Sequence, residues 1–232
     1  MVSIRTENLS LLLPVVNKRK GKVNKSKVGG RLVDVNGRLH VQALDNISFE
    51  LNKGDRLGLV GHNGSGKSTL LRVLAGIYPG YDGQIQINGK LGHALNIRLG
   101  FRPEATCRRN IELKCIMFDV PRHEYKRIEE DVLEFTGLGP YIDQPINTFS
   151  DGMLTRLAFG LATSIKYQIL LLDEWIGAGD QAFREAAQTR MESFASAEIV
   201  ILASHNRKLI DEWCNKIIEL EHGTIKDFTN NK

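Results

Sequence analysis

Cysteine is scarce in this chain, with Cys107, Cys115 and Cys214 the three among 232 residues. Their number is odd, their spacing is wide and no C-x-x-C pair occurs. Neither a disulfide framework nor a zinc site is therefore supported, and reduced structural thiols are expected. Long apolar runs are absent as well. No stretch approaches the ~18 apolar residues that a membrane-crossing helix needs, and the N-terminus lacks the basic-then-apolar layout of a secretion signal. The default expectation is a cytosolic chain. No internal repeat and no low-complexity tract stands out, which removes repeat architectures.

Acidic residues are missing from one segment. Between Asn17 and Arg31 stand Lys18, Arg19, Lys20, Lys22, Lys25, Lys27 and Arg31 with no Asp or Glu, so the rest of a chain of net charge +4 is net acidic. A solvated loop is the plainest reading of such a run. Attraction to an anionic cytoplasmic membrane surface is the second, nucleic acid is a weaker third, and composition does not choose among them. The hydrophobic content of 42% is enough for a substantial core, in one large or two small domains.

The most informative residues present are Gly61-His62-Asn63-Gly64-Ser65-Gly66-Lys67-Ser68, a G-x-x-x-x-G-K-S phosphate loop followed by Thr69. The preceding Arg56-Leu57-Gly58-Leu59-Val60 reads as a buried strand, and Thr69 to Gly76 carries apolar residues at helical spacing before a terminating glycine. Glycines at 61, 64 and 66 let backbone N–H groups approach phosphate oxygens, and the helix N-terminus adds partial positive charge. Lys67 brings a full charge to the β- and γ-phosphates, and the Ser68 hydroxyl is placed to ligate Mg²⁺.

Other segments read more simply. Ile4 to about Val16 could start a strand, and Ile47-Ser48-Phe49-Glu50-Leu51 alternates as a half-exposed strand before the turn Asn52-Lys53-Gly54-Asp55. Gln84 to Ile87 alternates again and is closed by Asn88-Gly89, a hairpin signal. From about Leu91 to Phe149 helical segments take over, among them Glu124 to Phe135, ended by Gly137. A further helix is predicted over Gly152 to Ile165, with Leu154, Leu157, Ala158, Leu161, Ala162 and Ile165 on one face. Ile169 to Leu172 is a fully apolar run ending in Asp173-Glu174, as expected of a central parallel strand that delivers carboxylates at its carboxyl end. Ile199 to Ala203 repeats the pattern and ends at Ser204-His205. Ile217 to Leu220, the turn Glu221-His222-Gly223 and Thr224-Ile225 close the chain.

These parts are those of a nucleoside triphosphate hydrolase. Asp173 would hold Mg²⁺ through its water shell, Glu174 could orient or deprotonate the attacking water, and His205 stands after the next apolar strand. Ser150-Asp151-Gly152-Met153 precedes a helix and offers a second set of N–H groups and a hydroxyl to an anion.

In this order the residues resemble the nucleotide-binding subunit of ABC transporters over nearly the whole chain. The resemblance implies an α/β fold of the P-loop NTPase class, with a RecA-like core, an antiparallel β subdomain and an inserted helical subdomain. One domain would span residues 1–232, with core and β subdomain over about 1–90 and 166–232 and the helical subdomain over 91–165. Gly61 to Ser68 correspond to Walker A, Phe149 to Met153 to the signature, Ile169 to Asp173 to Walker B and Glu174 to the catalytic glutamate. Gly177 to Asp180 correspond to the D-loop and His205 to the switch histidine. Such subunits work as head-to-tail homodimers in which Ser150 and Gly152 of one copy cover ATP held by the phosphate loop of the other.

Within the family, Arg102 to Thr106 with Arg109-Asn110-Ile111, the S-x-G-M signature and Asp173-Glu174-Trp175-Ile176-Gly177-Ala178-Gly179-Asp180 look like exporters of bacterial surface polysaccharide, most of all the O-antigen exporter ATPases. What this implies is ATP hydrolysis, with Mg²⁺, that powers export of lipid-linked polysaccharide through a separate integral-membrane subunit at the cytoplasmic face of the inner membrane. Gly100 to Leu113 are the expected partner surface. Capsule, teichoic acid or drug export is the alternative, and a soluble nucleic-acid-associated module is a third reading. The third would bring tandem cassettes or a coiled-coil insertion, so no nucleic acid is expected. Three features depart from the family: Asp151 in the signature, no glutamine in the Asn96 to Gly100 region where the Q-loop falls, and no adenine-stacking aromatic in Leu13 to Val16. Some O-antigen exporter ATPases carry a C-terminal carbohydrate-binding domain; none is expected here, and with it no direct glycan recognition by this subunit.

Overall fold

The computed structural model describes residues 1–15, 30–95, 100–173, 183, 185–187, 189–190 and 197–231. Most of the basic stretch, the 96–99 segment, Glu174 and the D-loop residues lie outside them. By contact the chain divides into two units, Met1–Leu91 with Ile169–Asp173 and Glu198–Lys232, and Gly92–Gln168 with Glu174–Ala197.

The first unit holds two sheets. One has the order β2-β3-β1-β5, built from β1 (Ser3–Pro14), β2 (Arg31–Val35), β3 (Arg38–Asn52) and β5 (Asp82–Asn88), each antiparallel to its neighbours. The alternation in β3 is realised: Ile47, Phe49 and Leu51 are buried while Ser48 and Glu50 face solvent.

The two Asn-Gly pairs behave differently. Asn36-Gly37, with φ of 53° and 75°, makes the two-residue hairpin between β2 and β3, where Val35 faces Arg38. Asn88-Gly89 does not close a hairpin, contrary to the sequence signal. Asn88 stays in extended backbone opposite Ser3 of β1, and β6 (Leu91–Ala94) belongs to the other sheet. A two-residue hairpin of this kind needs positive φ at both central residues, and Asn88 is not among the residues that adopt it.

The second sheet is ordered β10-β9-β4-β8-β7, with β6 beyond β7. Its strands β4 (Arg56–Val60), β7 (Ile169–Asp173), β8 (Ile199–Ala203) and β9 (Lys216–Glu221) are parallel neighbours, and β10 (Thr224–Asn230) returns antiparallel to β9. All five residues of β8 and the first four of β7 are buried, the signature of a sheet covered on both faces. Helix α1 (Lys67–Leu74) follows β4, and α5 (Arg207–Trp213) follows β8. Gly58 in β4 lets α5 lie close: a Cβ there would stand 2.4 Å from Ile210 Cγ2.

The second unit contains α2 (Cys107–Met117), α3 (Tyr125–Thr136) and α4 (Asp151–Ser164). Thr106 caps α2 by accepting from Arg109 N–H at 3.1 Å. The fully buried Asn110 donates to the carbonyls of Arg102, Ala105 and Thr106 and accepts from Arg102 N–H, which staples the preceding turn onto the helix. Gly137, at φ 69°, ends α3 as its position predicts.

Helix α4 departs from the expected single apolar face. Leu157, Leu161 and Ile165 are buried, but so are Thr155, Phe159, Thr163 and Ser164. The three hydroxyls can be buried because each returns a hydrogen bond to the backbone of α4, Thr155 to Asp151 O, Thr163 to Phe159 O and Ser164 to Gly160 O. Gly160 admits α3 at close range, since a Cβ would meet Thr136 Cγ2 at 2.8 Å.

Candidate functional site

The phosphate loop begins where β4 ends. Register places Leu59 of β4 and Asp173 of β7 on either side of Ala203 in β8, so the carboxyl ends of three parallel strands converge on one sheet edge. Open parallel sheets bind ligands at that edge. Gly61 leaves the strand at φ 141°, where a Cβ would meet Leu220 O at 2.3 Å and Ser65 Oγ at 2.7 Å. Gly66, at φ 114°, is the N-cap of α1 and offers no side chain to the helix's leading N–H groups. Those groups are left to another acceptor.

Lys67 is buried, with its ammonium donating to Gly61 O at 2.8 Å and His62 O at 3.2 Å. The charge is thus curled back over the centre of the loop. Ser65 Oγ is buried without a hydrogen-bond partner among the described residues. A glycine cradle, an inward ammonium, an uncapped helix N-terminus and a buried hydroxyl together fit a phosphate chain. Ser68 follows on the first turn of α1 and Asp173 is half-buried at the end of β7; among the described residues both are suited to a hard cation.

His205 stands exposed two residues past β8, just before α5, whose cap is Asn206. In the second unit, Ser150 caps α4 by accepting from Met153 N–H at 3.2 Å, and Gly152 leaves open space around its Cα, with Ser150 Oγ 3.8 Å from where a Cβ would be. Asp151 lies exposed in the same first turn, where a carboxylate favours the helix dipole but opposes an approaching anion. Glu174 and Asp180 lie outside the described residues.

The structure adds one part that the sequence reading left as a plain turn. Gly223 donates its N–H to Ser65 O at 2.9 Å and accepts from Asp45 N–H at 2.8 Å. The β9–β10 turn therefore clamps the phosphate loop to β3. Beside it the rings of His62 and His222 pack 5.0 Å apart between centroids. The signal available in the sequence was only the turn Glu221-His222-Gly223, whose last two residues adopt left-handed backbone.

A glycine loop with an inward lysine at the carboxyl edge of a parallel sheet defines a phosphate-loop nucleotide-binding protein. The sequence matches the ABC transporter family over residues 44–177, more than half of the chain, and belongs to that family. It is 41% identical over 231 residues to the O-antigen export system ATP-binding protein RfbE of Yersinia enterocolitica, covering 97% of each chain. The teichoic acids export ATP-binding protein TagH of Staphylococcus epidermidis is 33% identical over 228 residues, 98% of this chain and 84% of that one. In fold, the chain is similar to a dimeric ATP-binding cassette solved after hydrolysis with ADP and Pi, with a TM-score of 0.77, 18% identity and 99% of both chains covered. Among the described residues no helix is long and apolar enough to cross a membrane.

Proposed function

We propose that this chain is the ATPase of a surface-polysaccharide exporter, hydrolysing ATP to drive a lipid-linked glycan of the O-antigen type through a separate membrane subunit. The observation that carries the reading is the phosphate loop with Lys67 drawn over it, in a chain similar over nearly its whole length to an O-antigen export ATP-binding protein. The whole chain acts as one nucleotide-binding domain, with the helical subdomain over 91–165. The loop N–H groups and Lys67 bind and orient the β- and γ-phosphates. Ser68 and Asp173 hold Mg²⁺, which when bound neutralises charge on those oxygens. Glu174 orients or deprotonates the attacking water, and His205 meets the γ-phosphate from the neighbouring strand end.

Two copies face head to tail, so that Ser150 and Gly152 of one, with Asp180, complete the site on the phosphate loop of the other. The dimer docks through Gly100 to Leu113 on its membrane partner, at the cytoplasmic face of the inner membrane, with no nucleic acid involved. Lys67→Ala is expected to abolish ATP turnover, and Glu174→Gln to trap ATP in a stable dimer. Full turnover by the Lys67 variant would overturn the reading. Teichoic acid is the second candidate cargo, favoured by the 98% span of the Staphylococcus relative. Reconstitution with the membrane subunit and each lipid-linked polymer separates the two.

A further inference from the structure

Arg190 occupies a junction that the nucleotide chemistry does not use. Its Nε donates to Thr163 Oγ1 at 2.8 Å, and its Nη2 donates to Ser164 Oγ at 3.0 Å and to the Asp131 carboxylate. Its guanidinium lies over the Phe135 ring, 4.4 Å from the centroid. Phe135 in turn packs against Phe159 and Phe183. One side chain thereby ties together α3, the last turn of α4 and the helical residues around Phe183 and Arg190.

The chemistry of the junction is directional. Thr163 and Ser164 spend their own hydroxyl protons on carbonyls of α4, so their oxygens are left to accept from Arg190. The result is a relay from guanidinium to hydroxyl to helix carbonyl, in which each bond polarises the next. A cation also sits at the C-terminal end of a helix that has no basic residue in its own last turn. At the other end of that 14-residue helix, ~20 Å away at 1.5 Å per residue, are Ser150 and Gly152.

We propose that Arg190 is a positioning residue for ATP capture: by pinning the C-terminal turn of α4, it fixes the axial placement of Ser150 and Gly152 at the other end of the helix. The proposal rests on the cross-protomer reading above. A helix that could slide or tilt at its C-terminus would present its leading N–H groups out of register with the partner's triphosphate, and displacement of a capturing group by about 1 Å is costly. Binding of nucleotide by a single protomer uses the phosphate loop of the other unit and does not depend on α4.

The test uses the full chain carrying Glu174→Gln, with ATP-driven dimerisation followed by light scattering and single-protomer affinity followed with a fluorescent ATP analogue below the dimerisation threshold. Arg190→Met, which keeps the stem over Phe135, is expected to raise the ATP concentration for half-maximal dimerisation roughly ten-fold or more, while protomer affinity stays within about two-fold. Arg190→Lys keeps the cation but not the fork and is expected to fall between. Should Arg190→Met be too unstable to assay, Thr163→Val removes one acceptor at constant shape and is expected to shift dimerisation in the same direction. Dimerisation at the unaltered ATP concentration, or equal loss of dimerisation and protomer affinity, overturns the proposal. Failure of the Glu174→Gln chain with Arg190 intact to dimerise overturns the cross-protomer reading instead, and the role of Arg190 with it.

Discussion

Gly58→Ala is a sharp perturbation because it adds one methyl group between β4 and α5. The new carbon would stand 2.4 Å from Ile210 Cγ2 and 3.3 Å from Cys214 Sγ. Cγ2 is bonded directly to the Ile210 Cβ and cannot swing aside, and Ile210 is fully buried, so the helix itself must shift. Overpacking of this kind costs about 1–3 kcal/mol. Replacing glycine offsets ~0.4–1 kcal/mol by reducing the freedom of the unfolded chain, leaving a net loss of up to about 2.6 kcal/mol, with the middle of the range near ~1.3 kcal/mol. For a chain of this size the middle of that range is a fall of roughly 3–5 °C in Tm, measurable by calorimetry. Because His205 lies just before α5, turnover should fall by more than nucleotide affinity does. In an Ile210→Ala background the added methyl has room, so the same change should be neutral or stabilising, a coupling of at least about 1 kcal/mol. An unaltered Tm, or strictly additive losses in the cycle, would refute the close approach of α5 to β4.

Two further predictions concern buried titratable groups. Burial pushes the Lys114 ammonium down from 10.5 to about 8, against the pull of the Phe101 and Phe118 rings 5.1 and 5.7 Å away. The folded state therefore sheds this proton before the unfolded state does, so stability should rise by about 1 kcal/mol between pH 7 and 9, and Lys114→Met should flatten that rise in urea titrations. Burial pushes the thiols of Cys107, Cys115 and Cys214 up to about 12, 11 and 12. At pH 8 a thiol reagent should find no reactive cysteine in the native chain and three equivalents after denaturation.

The site was more legible in the sequence than the packing around it. Eight contiguous residues carry the phosphate-loop pattern and need no distant partner to be recognised, and the apolar runs before Asp173 and Ser204 announce strands covered on both faces. What pattern could not show was partnership. Asn36-Gly37 and Asn88-Gly89 are the same dipeptide, yet only the first turns a hairpin, because the backbone at Asn88 is held by β1. The buried threonines and Ser164 of α4 lie outside the predicted apolar face, and each satisfies its hydroxyl within the helix. The sequence motif around Asn110 pointed to a subgroup without a physical reason; four hydrogen bonds to one turn supply it.

The clamp from the β9–β10 turn has a consequence for biogenesis. β4, which launches the phosphate loop, is flanked on both sides by strands from the last third of the chain, and the loop's Ser65 carbonyl is held by Gly223. A ribosome that has finished residues 61–68 has made the glycine loop and Lys67 but not β8, β9 or Gly223, which hold them in place. The nascent chain gains its nucleotide grip only when β8, β9 and Gly223 have emerged, so competence to capture ATP reports that the strands flanking β4 are in place.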